Sequence, residues 1–351
     1  MSAADLAGRD DALRALFVPF EQGSLGAPAD ARVLFLGARA GEPLRRWASP
    51  AWLCQQNLKP FADALQGAGL KTGEPASDEC FACVLLLLPR QRDERRAVLA
   101  RALDHCAPGG VIVASVANHD GARSAQDDMT QLAGMPHVLS KHKCRVFWVT
   151  PEPGTVDDAL CQAWREHDAL RPTVDGMVSR PGLFAWDRID SASALLAEHL
   201  PEDLAGRVAD LGAGAGYLSV QLVRRCPQVR HVDLYEADAR ALPAARANMQ
   251  AACEGRSHAP SFAVHWHDVV AGLPECFDAI VSNPPFHQGH ADLPQLGRAF
   301  IVTAAGALRR GGSFWMVANR HLAYEGTLRE CFAQVRTHVE RDGFKVIEAR
   351  L

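Results

Sequence analysis

The sequence lacks a run of about eighteen apolar residues, the length that a membrane-spanning helix needs. Its first residues, Met1-Ser2-Ala3-Ala4-Asp5, lack the basic and apolar regions of a secretory signal peptide. It also lacks an excess of basic charge, because 37 Lys and Arg stand against 41 Asp and Glu and the net charge is −4. We therefore expect a cytoplasmic protein with no membrane partner, and not one that coats nucleic acid non-specifically. Local clusters such as Arg90, Arg92, Arg95 and Arg96 still allow RNA as a substrate.

The cysteines do not follow a disulfide or metal-binding pattern. Ten cysteines are scattered through both halves of the chain, which is typical of a protein kept in a reducing compartment. One pair, Cys80 and Cys83, has C-x-x-C spacing, but it lies in an apolar strand pattern and no second pair accompanies it. We expect no metal cofactor. The length of 351 residues predicts two domains, and we expect the chain to be a monomer.

Strand and helix patterns alternate in both halves, which predicts α/β domains built on mostly parallel sheets. Residues 1–150 form the first predicted domain and residues 179–351 the second. Residues 151–178, in which Pro and Gly flank one short helical pattern, are the predicted linker. Within the first domain, residues 49–68 read as a single helix. The C-terminal residues predict a hairpin with a glycine turn.

The two halves also resemble each other in the order of their landmarks. Arg32-Val-Leu-Phe-Leu-Gly37 matches Arg207-Val-Ala-Asp-Leu-Gly212, and similar strand and double-glycine segments follow in both halves. This order indicates an internal duplication. The first copy has Phe35 where the second has Asp210, so it keeps the core pattern and loses polar residues. We expect the first copy to be a scaffold or a substrate-docking domain, which means RNA docking if the substrate is RNA.

A glycine-rich turn follows the first strand of the second copy. Its sequence is Asp210-Leu-Gly212-Ala-Gly214-Ala-Gly216, with a helix pattern after it. Glycine lets the backbone approach a ligand, and the helix start offers N–H groups. The third glycine comes one position too early for a dinucleotide fingerprint, and Tyr217 stands where that pattern needs glycine. A preceding acid instead suits a cationic ligand, although a glycine turn without a ligand is the structural alternative.

Acidic residues follow the next two strands. Glu236 ends the second strand, where a carboxylate can accept hydrogen bonds from both hydroxyls of a ribose. Asp238 is close enough to compete for that role, or it caps the following helix. Asp268 follows the third strand and is placed to reach an adenine amino group, or it is a simple loop acid.

The fourth strand of the second copy ends in a rigid polar and aromatic corner, Ser282-Asn283-Pro284-Pro285-Phe286-His287-Gln288-Gly289. Two prolines fix the backbone and lack N–H groups, so the chain leaves the sheet in an extended form. An amide and a ring on either side of that corner suit a planar substrate that carries nitrogen. The corresponding strand of the first copy ends in Leu88-Pro89-Arg90, without the amide and the ring.

The glycine-rich turn after Asp210, the acid Glu236 and the corner that begins at Ser282 together resemble class I methyltransferases that use S-adenosylmethionine. They resemble in particular the bacterial small-subunit ribosomal RNA guanine-N2 methyltransferases. The similarity extends to the segment Pro181-Gly182-Leu183-Phe184 and the Asp187 after it. The resemblance implies two tandem Rossmann-like domains, each with a seven-stranded, mostly parallel sheet and a terminal antiparallel hairpin, the first domain being degenerate. It implies ribosomal RNA or a ribosomal subunit as the partner. Ala213 and Glu236 depart from the Cys and Asp that the family often has there.

The resemblance also implies roles for single residues. Asp210, Gly212, Gly214, Gly216, Glu236 and Asp268 would bind S-adenosylmethionine. At the corner, the oxygen of Asn283 and the carbonyl of Pro284 would accept hydrogen bonds from the exocyclic amine of guanine, and would thereby orient it and stabilise its growing positive charge. Pro285 would stiffen the corner and Phe286 would stack on a base that has left its helix. Phe184 and His287 are further substrate candidates; a core aromatic and a loop histidine are the alternatives.

Other functions remain open at this point. The target could be a guanine of 23S ribosomal RNA, a protein glutamine or a DNA adenine, but the last two kinds of enzyme more often have Tyr in place of Phe286 and lack the degenerate first copy. A non-catalytic RNA-binding assembly protein is disfavoured because the second copy keeps its site residues. A nicotinamide oxidoreductase is disfavoured by the glycine spacing.

Overall fold

The chain divides into two units in a computed structural model that describes residues 10–28, 31–173, 175–285, 287–288, 291–292 and 294–351. The first unit is Met1–Ala169 and the second is Leu170–Leu351. Each unit carries its own sheet with helices on its faces. The expected pair of Rossmann-like α/β domains is confirmed.

The first unit alternates helices and strands along the chain. Its helices are α1 (Asp11–Glu21), α2 (Glu42–Trp47), α3 (Lys59–Gly67), α4 (Arg92–Asp104), α5 (Ala122–Ala133) and α6 (Asp158–Arg165). Its strands are β1 (Val33–Leu36), β2 (Trp52–Gln55), β3 (Phe81–Leu87), β4 (Cys106–Ala117), β5 (His137–Lys141) and β6 (Cys144–Val149).

The sheet of the first unit has the order β2-β1-β3-β4-β6-β5. Its first three pairings are parallel, and β5 and β6 form the antiparallel hairpin. A parallel bridge joins Cys54 in β2 to Thr72, at the edge where a seventh strand would lie. The described part of this unit therefore has six strands and a single bridge in place of the seventh.

Two local expectations for the first unit need correction. Residues 49–68 are not one helix, because Trp52–Gln55 forms the fully buried strand β2 before α3 begins. Short apolar segments of this length read equally well as one side of a helix. Within the predicted linker 151–178, α6 packs on α4 and buries Cys161 and Trp164 in the core of the first unit.

One carboxylate organises the arginines of the first unit. The buried side chain of Asp128 in α5 receives hydrogen bonds from Arg92, Arg95 and Arg96 of α4, with the Arg96 nitrogens at 3.0 and 3.1 Å. Arg95 is itself buried, while the side chain of Arg92 is 55% exposed. Three guanidinium groups therefore share one buried carboxylate, and the Arg92 group reaches solvent.

The second unit repeats the alternation. Its strands are β7 (Arg171–Pro172), β8 (Val178–Ser179), β9 (Ala205–Leu211), β10 (Gln228–Glu236), β11 (Ser261–Trp266), β12 (Phe277–Ser282), β13 (His287–Gln288), β14 (Ala291–Asp292), β15 (Leu308–Asn319), β16 (Gln334–Arg341) and β17 (Phe344–Arg350). Its helices are α7 (Ser191–His199), α8 (Tyr217–Arg225), α9 (Leu242–Cys253), α10 (Pro294–Ala307) and α11 (Glu325–Cys331).

The main sheet of the second unit has the order β11-β10-β9-β12-β15-β17-β16. The strands from β11 to β15 are parallel, and β16 and β17 form the expected antiparallel hairpin. The direction of winding reverses between β9 and β12. The carboxyl ends of neighbouring strands on the two sides of such a switch point leave room for a ligand.

The central strands are apolar because both faces of the sheet are covered. Val208 and Val281 lie in one buried cluster with the leucines of α7, while Ala209 and Ile280 lie in another with Ile301 of α10. Strands buried on two sides are rich in apolar residues, which is why the apolar run of β12 was recognisable in the sequence. No helix in the described residues is long and apolar enough to cross a membrane.

Candidate active site

The glycine turn connects the end of β9 to α8. The N–H groups of Gly212 and Ala213 donate to the carbonyl of Tyr235 in β10, at 2.9 and 3.1 Å. Gly214 has φ +54° and Gly216 has φ +88°, conformations that L side chains rarely adopt. The backbone of the turn is therefore held against β10, and Gly214 leaves open space beside the turn.

Asp210 lies under this turn and is fully buried. Its Oδ2 accepts hydrogen bonds from the backbone N–H and the hydroxyl of Ser219, at 3.1 and 2.7 Å. Its Oδ1 is buried without a hydrogen-bond partner. Burial raises the pKa of Asp210 to about 7, with a smaller contribution from the charge of Glu236, against the hydrogen bonds of Ser219. An acid of this kind is poised to lose its proton when a cation arrives.

Glu236 ends β10 and faces the same turn. Its Oε2 accepts the N–H of Gly214 at 2.7 Å and its Oε1 accepts the N–H of Asp238 at 2.8 Å. Burial raises the pKa of Glu236. The carboxylate is thus fixed in orientation by two backbone donors, and each oxygen keeps a further lone pair for a ligand hydroxyl.

The other two acids of this edge cap short helical turns. Asp238 accepts hydrogen bonds from the backbone and guanidinium of Arg240, so it is the capping residue that the sequence suggested as one alternative. Asp268 accepts the N–H of Val270 at 3.0 Å and begins the turn Val269–Ala271. Its half-buried side chain stands after β11, as expected.

The Asn-Pro-Pro corner begins where β12 ends. The hydroxyl of the buried Ser282 donates to the carbonyl of Leu211 at 2.7 Å, which ties the corner to the start of the glycine turn. A methyl group placed on Gly212 would lie 3.9 Å from Cδ of Pro285. Pro284 is buried and Pro285 is exposed. The structure therefore brings the corner and the glycine turn together.

The side chain of Asn283 is held by two residues that the sequence did not reveal. Its Nδ2 donates to Oδ2 of Asp190 at 2.9 Å and to Oγ of Ser193 at 2.8 Å. Asp190 is the N-cap of α7, which the motif Asp-x-x-Ser could have indicated. Asp187, the acid that the family pattern singled out, is exposed and pairs with its neighbour Arg188.

Asn248 of α9 is another residue that sequence reasoning missed. Its buried amide accepts the N–H of Val178 at 2.7 Å and donates to the carbonyls of Val178 and Ala215, at 2.9 and 2.8 Å. It thereby fastens the glycine turn to the β7–β8 hairpin. A buried Asn with these three bonds is satisfied and has a structural role.

Of the remaining substrate candidates, the structure describes the side chain of Phe184 alone. Phe184 is 72% exposed, so the alternative of a core aromatic is wrong for it, and its part in a substrate pocket stays a prediction. Ala185 next to it has φ +47°, a left-handed conformation for a non-glycine residue. Phe286 lies outside the described residues, and for His287 only the backbone is described. The described residues contain no group of three or more His, Cys, Asp or Glu that could hold a metal ion.

The strand register identifies the counterparts of these residues in the first unit. Leu36 pairs with Gln55 as Leu211 pairs with Tyr235, so Gln56 takes the position of Glu236. The amide of Gln56 donates to the carbonyl of Ala38 at 2.6 Å, which reverses the direction of the Glu236 hydrogen bond. By the same register Leu87 corresponds to Asn283.

Arg39 takes the position of Gly214 in this comparison. A methyl group on Gly214 would meet nothing within 4 Å, whereas the side chain of Arg39 pairs with Asp10 at 2.8 Å and lies over the ring of Phe61. The first copy has therefore filled the position that the second copy leaves open. This agrees with the expectation that the first domain is degenerate.

Known proteins are similar to this chain in sequence. The family described as Methyltransferase small domain matches residues 176–348. A "Ribosomal RNA small subunit methyltransferase C" from Pseudomonas putida is 31% identical over 323 residues, which cover 90% of this chain and 94% of the relative. A protein of the same name from Pseudomonas paraeruginosa is 33% identical over 276 residues, covering 77% of this chain and 79% of the relative.

A solved structure agrees with the fold over nearly the whole length. It is that of the T. thermophilus 16S rRNA N2 G1207 methyltransferase (RsmC) in complex with AdoMet and guanosine, with a TM-score of 0.78 and 24% identity. The alignment covers 98% of this chain and 92% of that one. The resemblance read from the sequence is confirmed: the chain belongs to the ribosomal RNA small subunit methyltransferase C family.

Proposed function

We propose that this chain transfers a methyl group from S-adenosylmethionine to the exocyclic N2 amine of a guanine in 16S ribosomal RNA. The observation that carries the proposal is the Asn283 amide, whose two N–H groups are engaged by Asp190 and Ser193 at the switch point of the sheet. Its oxygen is thereby left to accept a hydrogen bond from an amine. The family membership and the guanosine bound in the T. thermophilus relative support the same substrate.

The residues at the glycine turn fit the proposed cofactor. Asp210 has a buried oxygen without a partner, Glu236 has a carboxylate fixed at the turn, and the position beside Gly214 is open. We assign Asp210 to the cationic part of the molecule, Glu236 to the ribose hydroxyls and Asp268 to the adenine amine, with the three glycines as the cradle. When bound, S-adenosylmethionine supplies a methyl group on a positively charged sulfur.

The corner residues act on the amine. The lone pair of this amine is delocalised into the guanine ring, so it is a poor nucleophile. Hydrogen bonds from its N–H groups to Oδ1 of Asn283 and to the carbonyl of Pro284 orient the lone pair and stabilise the positive charge that grows on nitrogen during transfer. Pro285 keeps the corner rigid. The methylated amine would then lose its extra proton to water, without a dedicated general base. Phe286, Phe184 and His287 are candidates for contacts to the guanine ring.

We assign RNA docking to the first unit. Its Asp128 cluster carries three guanidinium groups on one carboxylate, and Arg92 is exposed. Positive charge on a surface binds phosphate without reading sequence. The second unit then carries the chemistry and the first adds affinity for the RNA.

Replacing Asn283 tests the chemistry. Asn283→Ala removes the acceptor that stabilises the developing charge, so kcat is expected to fall by about 10² to 10³, as for the loss of one donor or acceptor to a transition-state charge. The affinity for S-adenosylmethionine, measured by calorimetry, is expected to stay within about twofold because Asn283 does not contact the glycine turn's acids. Methyl transfer to 16S rRNA at the wild-type rate would contradict this role.

The two copies provide a matched pair of variants for cofactor binding. Glu236→Ala removes the ribose acceptor and is expected to weaken S-adenosylmethionine binding by roughly 30- to 100-fold, the effect of one or two hydrogen bonds to a charged group. Gln56→Ala alters the counterpart in the first unit and is expected to leave the affinity and the stoichiometry of one per chain unchanged. Equal weakening in both variants, measured by calorimetry, would place the site elsewhere.

The pKa of Asp210 predicts a pH dependence of cofactor binding. The pKa of about 7 means that the free protein holds a proton on this carboxyl below that pH. A bound cation favours the carboxylate, so binding releases the proton and the affinity rises by about tenfold between pH 6 and 8, then levels off. Calorimetric titration with Asp210→Asn, which keeps the Ser219 contact, is expected to give a flat profile. The same slope in this variant would exclude Asp210 as the titrating group.

The docking role predicts a change in salt dependence. Arg92→Ala is expected to raise the KM for the RNA substrate by about three- to tenfold and to lower the slope of log affinity against log salt concentration by about 1. Arg165→Ala is the control, because that arginine is similarly exposed but neutralised by its own partner Asp104. An unchanged slope for Arg92→Ala, or an equal change in the control, would remove this face from the RNA contact.

A further inference from the structure

We propose that Asp190 and Ser193 are positioning residues for the reaction, which fix the amide of Asn283 so that its oxygen, and not its nitrogen, faces the amine to be methylated. This inference rests on the proposed function and deepens it. It assigns a role to the start of α7, which lies 90 to 93 residues before the Asn-Pro-Pro corner in sequence.

The chemistry of the two partners decides the orientation of the amide. An ionised carboxylate accepts hydrogen bonds and cannot donate them. The group of Asn283 that lies 2.9 Å from Oδ2 of Asp190 must therefore be the nitrogen. A flipped amide would place two oxygens against each other without a proton between them. The second N–H is taken by Oγ of Ser193 at 2.8 Å, so both donors of the amide point away from the substrate side.

The two partners are themselves fixed by the helix they begin. Oδ2 of Asp190 also accepts the backbone N–H of Ser193 at 2.8 Å, as the N-cap of α7. The next residues of the helix, Ala192, Leu195 and Leu196, are buried in the core with Val208 and Val281. The acceptors thus stand on a packed element, and the catalytic amide on a loop takes its orientation from them.

This arrangement affects the reaction in two ways. The terminal torsion of Asn has two nearly equivalent orientations, and in the wrong one the NH₂ group would meet the N–H groups of the guanine amine. The hydrogen bonds to Asp190 and Ser193 exclude that unproductive orientation. Donation of both N–H groups, one of them to an anion, also polarises the amide and makes Oδ1 a stronger acceptor. Capping of α7 alone would explain the bond from the Ser193 backbone but not the bonds from Asn283.

The test uses substitutions that keep the cap. Asn is as good an N-cap as Asp, but the amide of Asp190→Asn can either accept from Asn283 or donate to it, so the orientation is no longer unique. We expect kcat for 16S rRNA to fall roughly tenfold in this variant and in Ser193→Ala. KM for the RNA and the affinity for S-adenosylmethionine are expected to stay within about twofold. Asp157→Asn is the matched control. Asp157 caps α6 by accepting the backbone N–H of Leu160, and its replacement is expected to leave kcat, KM and the cofactor affinity unchanged.

Coupling between the residues separates positioning from folding. In an Asn283→Ala background, Asp190→Asn is expected to have no further effect on kcat, because the amide it orients is gone. A wild-type kcat for Asp190→Asn, or the same tenfold loss in the Asn283→Ala background, would overturn the inference.

A second measurement detects the hydrogen bonds from Asn283 to Asp190 and Ser193 without depending on the reaction. In protein labelled with ¹⁵N-asparagine, the Asn283 side-chain protons are expected to exchange slowly with solvent in the full chain and faster in Asp190→Asn. Fast exchange in the wild type would contradict the proposed fixing of the amide by Asp190 and Ser193. If the wild type does not methylate guanine N2 but the exchange is slow, the proposed function fails and the orientation of the amide stands.

Discussion

The reversal of strand order between β9 and β12 is the constraint on which the site depends. It places the carboxyl ends of β10, β9 and β12 side by side and lets three short segments meet there: Glu236, the glycine turn and the Asn-Pro-Pro corner. The bond from Ser282 to Leu211 and the bond from Gly214 to Glu236 tie these segments to one another. Each segment alone has an ordinary structural explanation, and their convergence gives the site its chemistry.

The candidate site of the second unit contains two kinds of polar group. Asp210 and Glu236 are acids held in a desolvated position, where burial raises the pKa of both. The hydrogen bonds from Ser219 to Asp210, and from two backbone N–H groups to Glu236, offset part of the cost of burying these acids. Asn283 is neutral, and its orientation is determined by α7. The proposed cofactor contacts thus depend on charge, and the proposed substrate contact depends on the direction of one amide.

The first unit shows what remains when selection on chemistry is lifted from the same fold. Gln56 replaces Glu236, Leu87 replaces Asn283 and Phe35 replaces Asp210, while the sheet order from β2 to β5 is kept except for the edge strand. The first unit keeps the fold with apolar side chains in place of Asp210 and Asn283 and with an amide in place of Glu236, so the fold does not require the polar residues of the second unit. This internal comparison supports the assignment of the polar residues in the second unit to function.

Much of the site could be predicted because its elements are local in sequence. The spacing of the glycines, Glu236 at a strand end and the two prolines after β12 are each visible within a few residues. Asp190 and Ser193 could not be found in this way, because nothing in the sequence connects a helix cap with a corner about 90 residues later. The strand Trp52–Gln55 was misread because three apolar residues and a glutamine do not define a period. The first unit extends beyond the predicted residue 150 because α6 buries Trp164 in its core.

The proposed methyl transfer to the exocyclic amine of a guanine in 16S rRNA can be tested directly. Small subunits from cells that lack this protein can be incubated with the full chain and S-adenosylmethionine carrying a deuterated methyl group, and the nucleosides of the 16S rRNA then separated and identified by mass spectrometry. The label is predicted in N2-methylguanosine, at a single position per 16S rRNA. Label in methyladenosine, in a ring-nitrogen methylguanosine or in ribosomal protein would contradict the account.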